Sequence, residues 1–175
     1  MATEIKPAWL VLGAVVLILG GWGWYRWFTS PERQIDNQLE RIQKLISKAP
    51  SEDNLRALAK ARQATDLFAA DFEFVAPQFD FHTRDRQRLI SGIHQYRSRA
   101  ETILMQFPET ALSVDTDQGR ATSHVTAQFI TKAQDLAGRE AYRFQINWVE
   151  QEGEWRMDYV RLLEIFEEPP SSWIP

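Results

Sequence analysis

The stretch "REAYRFQINWVE", residues 139–150, decides the fold. Tyr142, Phe144, Ile146 and Trp148 fall at every second position, with Arg143, Gln145 and Asn147 between them. Period two marks a strand with one face on a core and the other in water. Upstream, "ATSHVTAQFITK" (121–132) alternates in the same way. Ala121, Ser123, Val125, Ala127 and Phe129 face one side, and Thr122, His124, Thr126 and Gln128 the other. Downstream, "GEWRMDYVRLLEIF" (153–166) sets Trp155, Met157 and Tyr159 against Arg156 and Asp158. "TALSVDT" (110–116) and the turn "DTDQGR" (115–120) precede them. Gly119, Gly138 and Gly153 lie at or near the turns. An antiparallel meander with one apolar face is predicted, and that face needs a cover.

The cover comes from upstream. In "TSPERQIDNQLERIQKLISKAP" (29–50), Ser30 reads as a helix N-cap and Pro31 as the first helical residue. Ile35, Leu39, Ile42 and Ile46 form one stripe, and Pro50 ends it. "SEDNLRALAKARQATDLFAADF" (51–72) reads as a second helix marked by Leu55, Leu58, Leu67 and Phe68. "EFVAPQFDFHTRD" (73–85) is broken. "DRQRLISGIHQYRSRAETILMQF" (85–107) reads as a third helix with Leu89, Ile93, Tyr96 and Ala100 on one face, the period changing after Pro108. Helices on one side of an antiparallel sheet make an α+β fold. "EEPPSSWIP" (167–175) reads as a loose tail.

This order of elements over residues 51–166 resembles the nuclear transport factor 2-like superfamily, which includes ketosteroid isomerase-like enzymes. The pairing of "GRATSHVTAQF" with "GEWRMDYVRLLEI" carries most of the resemblance. It implies a bent sheet wrapped around helices as a cone with an internal pocket, and a polar outer sheet face of the kind that builds dimers. Isomerase-like members use an Asp base with a Tyr and a protonated Asp as oxyanion hole. The apolar strand faces here supply no Asp, Glu or His, and Asp158 and His124 have polar-face parity. No catalytic set is carried over. The resemblance does not reach the helix at 31–48 or what precedes it.

Residues 7–25 carry no charge over nineteen positions. A helix needs about 20 apolar residues to cross a ~30 Å hydrocarbon core. Bulky Trp22, Trp24 and Tyr25 stand where a signal peptide would place small residues. With Arg26 and Trp27, and with Trp9 at the far end, they form an interfacial belt. An uncleaved N-terminal transmembrane anchor is predicted over 1–28, then a juxtamembrane helix at 29–50, the α+β domain at 51–166 and the tail. Arg26, Arg33 and Arg41 pull the domain toward the cytoplasm. A short N-terminal tail that stays inside places it extracytoplasmically, and the balance falls there.

The chain has 175 residues, no cysteine and a formal net charge of −4. Disulfides and thiolate chemistry are excluded. A mildly acidic domain does not bind phosphate backbones, so nucleic acid is not a partner. No cofactor or metal is implied. Tyr142, Phe144, Trp148, Trp155, Met157 and Tyr159 line a pocket or fill a core. Asp80, His82 and Asp85 sit close in sequence, as an acid–base cluster or as a connection whose Thr83 or Asp85 caps the next helix. His94 is at the margin of a helix stripe. Arg84, Arg86, Arg88, Arg97 and Arg99 read as a solvated face or an anion contact. The expected role is a non-catalytic interaction or assembly module at a membrane. Its partners are the bilayer and a second copy, or a membrane protein, on the polar sheet face. An isomerase-like enzyme and a small apolar ligand carrier are the alternatives.

Overall fold

A computed structural model describes residues 30–133 and 136–166. The predicted anchor, with Trp9, Trp22, Trp24, Tyr25, Arg26 and Trp27, and the tail at 167–175 lie outside them. Among the described residues no helix is long and apolar enough to cross a membrane.

Three helices, α1 (Pro31–Ile46), α2 (Asn54–Thr65) and α3 (Arg86–Ser98), lie against a six-stranded sheet. The strands are β1 (Phe68–Ala76), β2 (Phe81–Thr83), β3 (Thr102–Asp115), β4 (Arg120–Ala133), β5 (Leu136–Gln151) and β6 (Glu154–Phe166). They run in the order β2-β1-β6-β5-β4-β3. The meander of β3 to β6 is antiparallel. However, β1 pairs parallel to β6, so the sheet is mixed rather than antiparallel throughout. The supposedly broken stretch is the β1–β2 hairpin, closed by a one-turn 3₁₀ helix at Pro77–Phe79. At the β5–β6 turn, Glu152 (φ 55°) and Gly153 (φ 80°) are both left-handed, the twist a two-residue hairpin loop requires.

Two helices end earlier than their apolar marks suggest. Helix α2 stops at Thr65, and Phe68 is a strand residue. Its buried residues are Ala57, Ala61, Ala64 and the terminal Thr65, while Leu55 is 81% exposed. Alanines let α2 pack closely on α3, so the bulky residue is not the informative one. Helix α3 stops at Ser98, and "TILMQF" already belongs to β3. There Ile103 and Met105 are buried and Leu104 is exposed, a period of two. Pro108 does not end the element but sits at a bulge between Gln106 and Glu109, on an edge strand where its missing N–H costs little.

Helix α1 begins as its sequence signals, with Ser30 Oγ accepting from the Arg33 N–H at 3.4 Å. It packs against β3 and β6, and Ile35 and Leu39 join Phe72, Trp148, Trp155 and Met157 in one core cluster. Its C-terminus is held by Arg97 of α3. That guanidinium is fully buried and donates to the carbonyls of Leu45, Ile46 and Ser47 and to the Glu52 carboxylate. Lys60 Nζ donates to the same carboxylate at 2.6 Å. Burial alone would raise the Glu52 carboxyl; the hydrogen bonds from Lys60 and Arg97 outweigh it and hold it below the usual range. Lys48 Nζ completes the clasp by donating to the Arg97 and Ala100 carbonyls at 3.0 and 2.7 Å.

Candidate functional site

The concave side of the sheet, closed by the helices, is where a pocket would form. Its floor is filled. Trp148 and Trp155 are each 1% exposed and Met157 2%, in contact with Ile35, Phe68 and Phe72. The Trp148 indole N–H donates to Ser123 Oγ at 2.9 Å, so the one polar edge of that ring is satisfied inside the core. Among the described residues, the polar residues buried as a whole are Thr65, Thr83, Arg97, Ser123 and Gln128, and the cluster around Trp148 and Trp155 holds no charged residue. None is a carboxylate or an imidazole, so the floor has no proton-transfer pair.

The second core cluster, around Phe129, is different. Tyr142 and Phe144 of β5 are half-buried and meet aromatics from three other elements. Phe129 stands 5.6 Å from Tyr142 and 5.7 Å from Tyr96, centroid to centroid, and Phe79 reaches Tyr142 at 6.2 Å. The Tyr142 hydroxyl donates to Glu140 Oε2 at 2.6 Å. Burial first, and then the Glu140 charge, push the Tyr96 hydroxyl well above its ordinary pKa. Burial and the hydrogen bond to Glu140 do the same at Tyr142. Both phenols therefore stay protonated at any physiological pH and keep an O–H to donate. The Tyr96 hydroxyl is buried without a hydrogen-bond partner, as is His94 Nδ1 on the same helix. The rings pack edge to face on one another.

Tyr159 does not belong to this face. Trp148 pairs with Met157 and Asn147 with Tyr159, so Asp158 is an extra residue in β6. The bulge reverses the parity: beyond Met157 the buried residues are Val160 and Leu162, and Tyr159 turns to the outer face. At the bulge, Asp158 Oδ1 is buried and unpartnered while Oδ2 lies 3.5 Å from Arg120. Burial raises its carboxyl despite that arginine, and the nearby Asp71 charge adds to the rise.

Asp80, His82 and Asp85 are not brought together as a cluster. Asp80 is exposed with φ 50°, closing the 3₁₀ turn. Asp85 caps α3, accepting from the Gln87 N–H at 2.8 Å. His82 instead pairs with Glu73 across the β1–β2 hairpin, Nε2 to Oε1 at 2.7 Å, and Arg84 takes the other oxygen at 2.8 Å. The bonds from Arg84 and His82 hold the Glu73 carboxyl low. The pair is open to water and lines no cavity. The arginine run is also not one solvated face: Arg86 donates to the carbonyls of Phe68 and Ala69, Arg88 stacks over Phe81, and Arg97 is the buried clasp. Arg97 lies four residues beyond Ile93 and eight beyond Leu89, on the apolar stripe; that spacing was the available signal. Among the described residues no group of three or more His, Asp and Glu could hold a metal ion.

The outer sheet face carries Thr122, Thr126, Gln145 and Asn147, all half-buried, with exposed His124 among them. Gln145 and Thr122 both donate to Asn147 Oδ1, at 3.2 and 3.5 Å.

Comparison with solved structures agrees with this architecture. A nuclear transport factor 2-like protein from Novosphingobium aromaticivorans, with a cystatin-like fold, superposes with a TM-score of 0.60 at 12% identity, over 92% of this chain and 90% of that one. A protein provisionally assigned as a scytalone dehydratase, from the same organism, gives 0.61 at 11% identity over 79% and 87%. An uncharacterised cystatin-like protein from Caulobacter vibrioides gives 0.58 at 16% over 78% and 89%. At such identities the likeness is one of fold. No curated protein matches the chain. The SnoaL-like domain model matches residues 57–161, well over half of the chain. The chain belongs to the SnoaL-like domain family, within the nuclear transport factor 2-like superfamily.

Proposed function

We propose that this SnoaL-like domain is a non-catalytic interaction module tethered to a membrane by residues 1–28. The observation that supports it is the filled floor: Trp148, Trp155 and Met157 are buried in one core cluster that contains no acid and no imidazole. The apolar, aromatic-flanked run at 7–28 supports the tether. Helix α1 starts at Pro31 and is clasped into the core, so the domain would be held within a few residues of the bilayer. The polar outer face, with its small Thr and amide side chains, would seat a second copy or a membrane-protein neighbour.

The test has two arms. The full chain should stay in the membrane pellet after alkaline carbonate washing and should not turn over small cyclic ketones or hydroxyaromatics. Release into the supernatant would remove the tether; saturable turnover would remove the non-catalytic role. A second reading, a carrier of a small flat apolar ligand, is favoured by one observation, the buried unpartnered hydroxyl of Tyr96, whose ring packs on Phe129. It predicts a ligand that co-purifies and is lost in Tyr96→Phe.

A further inference from the structure

Strand β3 is the edge of the sheet, and its two halves are treated differently. In the first half the chain covers its own edge. Lys48 forms an antiparallel bridge with Ile103, N–H to carbonyl at 2.8 Å and back at 3.1 Å, and the Met105 N–H donates to Ser47 Oγ at 3.1 Å. The backbone groups of Ile103 and Met105 therefore point away from β4. In an antiparallel ladder that direction alternates. The bulge between Gln106 and Glu109 shifts it by one residue. Beyond the bulge, Thr110, Leu112 and Val114 carry their N–H and carbonyl groups outward. Among the described residues no segment pairs with this half. Such a row of free donors and acceptors is a template for one more strand.

The side chains indicate what that strand is. Glu109, Ala111, Ser113 and Asp115 are exposed on the outer face of this half-edge. A second copy added antiparallel through all three outward residues would centre on Leu112. It would set Glu109 opposite Asp115 at both ends, like charges that disfavour the pairing. An extended segment with basic residues six positions apart meets both carboxylates, and small Ala111 and Ser113 leave room for larger side chains between them. We propose that residues 109–115 of β3 are a strand-addition site for an extended segment of a partner protein, basic at both ends and apolar or β-branched at its alternate positions. This rests on the reading of the domain as an interaction module, and names the surface and the partner's chemistry.

The experiment uses the full chain and two labelled seven-residue peptides, Lys-Thr-Val-Thr-Val-Thr-Lys and the same peptide with Glu at both ends, followed by fluorescence anisotropy. The basic peptide should bind about tenfold or more tighter than the acidic one, on the scale of two exposed charge pairs switched from repulsion to attraction. Glu109→Lys with Asp115→Lys should invert the order. Thr110→Pro removes one outward N–H at an exposed position and should weaken both peptides without altering the circular dichroism spectrum. No binding by the wild type, equal binding of the two peptides, or indifference to Thr110→Pro would overturn the proposal. So would a concentration-dependent dimer abolished by Thr110→Pro, which would assign the edge to a second copy. Failure here is distinct from failure of the module reading: membrane cross-links that persist in both variants would leave the module standing and remove only the edge.

Discussion

Replacing Arg97 by methionine keeps most of the side-chain volume and removes the charge, so it isolates what the clasp contributes. In the native chain the guanidinium is fully buried, with Glu52 and the carbonyls of Leu45, Ile46 and Ser47 as acceptors. Without it, Glu52, whose side chain is 4% exposed, retains only Lys60, and the last carbonyls of α1 lose their donor. Stranding one partner of a buried pair costs about 3–5 kcal/mol. Against a typical domain stability of about 5–15 kcal/mol that is a large fraction. At roughly 2–4 °C per kcal/mol for a chain of this size, the melting temperature should fall by about 6–20 °C. Adding Glu52→Gln removes the stranded charge, so the double variant should be more stable than Arg97→Met alone. The assay is urea unfolding of the full chain followed by tryptophan fluorescence, since Trp148 and Trp155 are buried reporters. An unchanged slope with a lowered midpoint assigns the loss to the native state. A single-variant loss under about 1 kcal/mol, the scale of an exposed pair, would refute the clasp. A double variant as unstable as the sum of the singles would refute the stranded-charge account.

Further outcomes follow from the same contacts. Ser123→Ala leaves the buried Trp148 indole N–H without an acceptor and should cost about 1–3 kcal/mol in the same unfolding assay; a change within error would mean the indole finds another partner. Acid should destabilise the chain through Glu52. Its folded carboxyl is lowered from 4.5, so its contribution is full above that value and disappears as pH falls through the lower folded value. Arg97→Met should flatten this part of the pH–stability curve, and an unchanged curve would contradict the assignment. Tyr96→Phe removes a buried hydroxyl that bonds nothing, so it should be neutral or stabilising by up to about 1 kcal/mol; a loss of more than that would reveal an acceptor.

The strands of the meander were legible because each buries one face only. Ala121 to Ala127 alternate in sequence and in burial alike, and so do Gln145 to Trp148. The parallel β1 was not legible: "FAADFEF" sits after a helix, and its pairing with β6 depends on a partner some 90 residues away in the chain. Tyr159 was misplaced for a related reason. A bulge at Asp158 adds one residue to the strand, and period-two reasoning carries parity across it unchanged. Helix α2 hid its interface because alanines, not leucines, face its neighbour. For the site, the aromatic faces were readable, and the tight core of Trp148 and Trp155 follows from their position on two adjacent strands. The Glu73 partner of His82 and the burial of Arg97 were not, since both depend on which elements the chain folds against each other.

The proposed role as a surface-recognition module rests on the filled floor around Trp148, Trp155 and Met157. Fluorine NMR of the full chain labelled with 5-fluorotryptophan tests it directly, with Trp148→Phe and Trp155→Phe assigning the two core resonances. Titration with small flat aromatics such as indole and naphthol should leave both resonances in place at millimolar concentrations. A saturable shift of either one would show that the interior admits a ligand and would contradict the account.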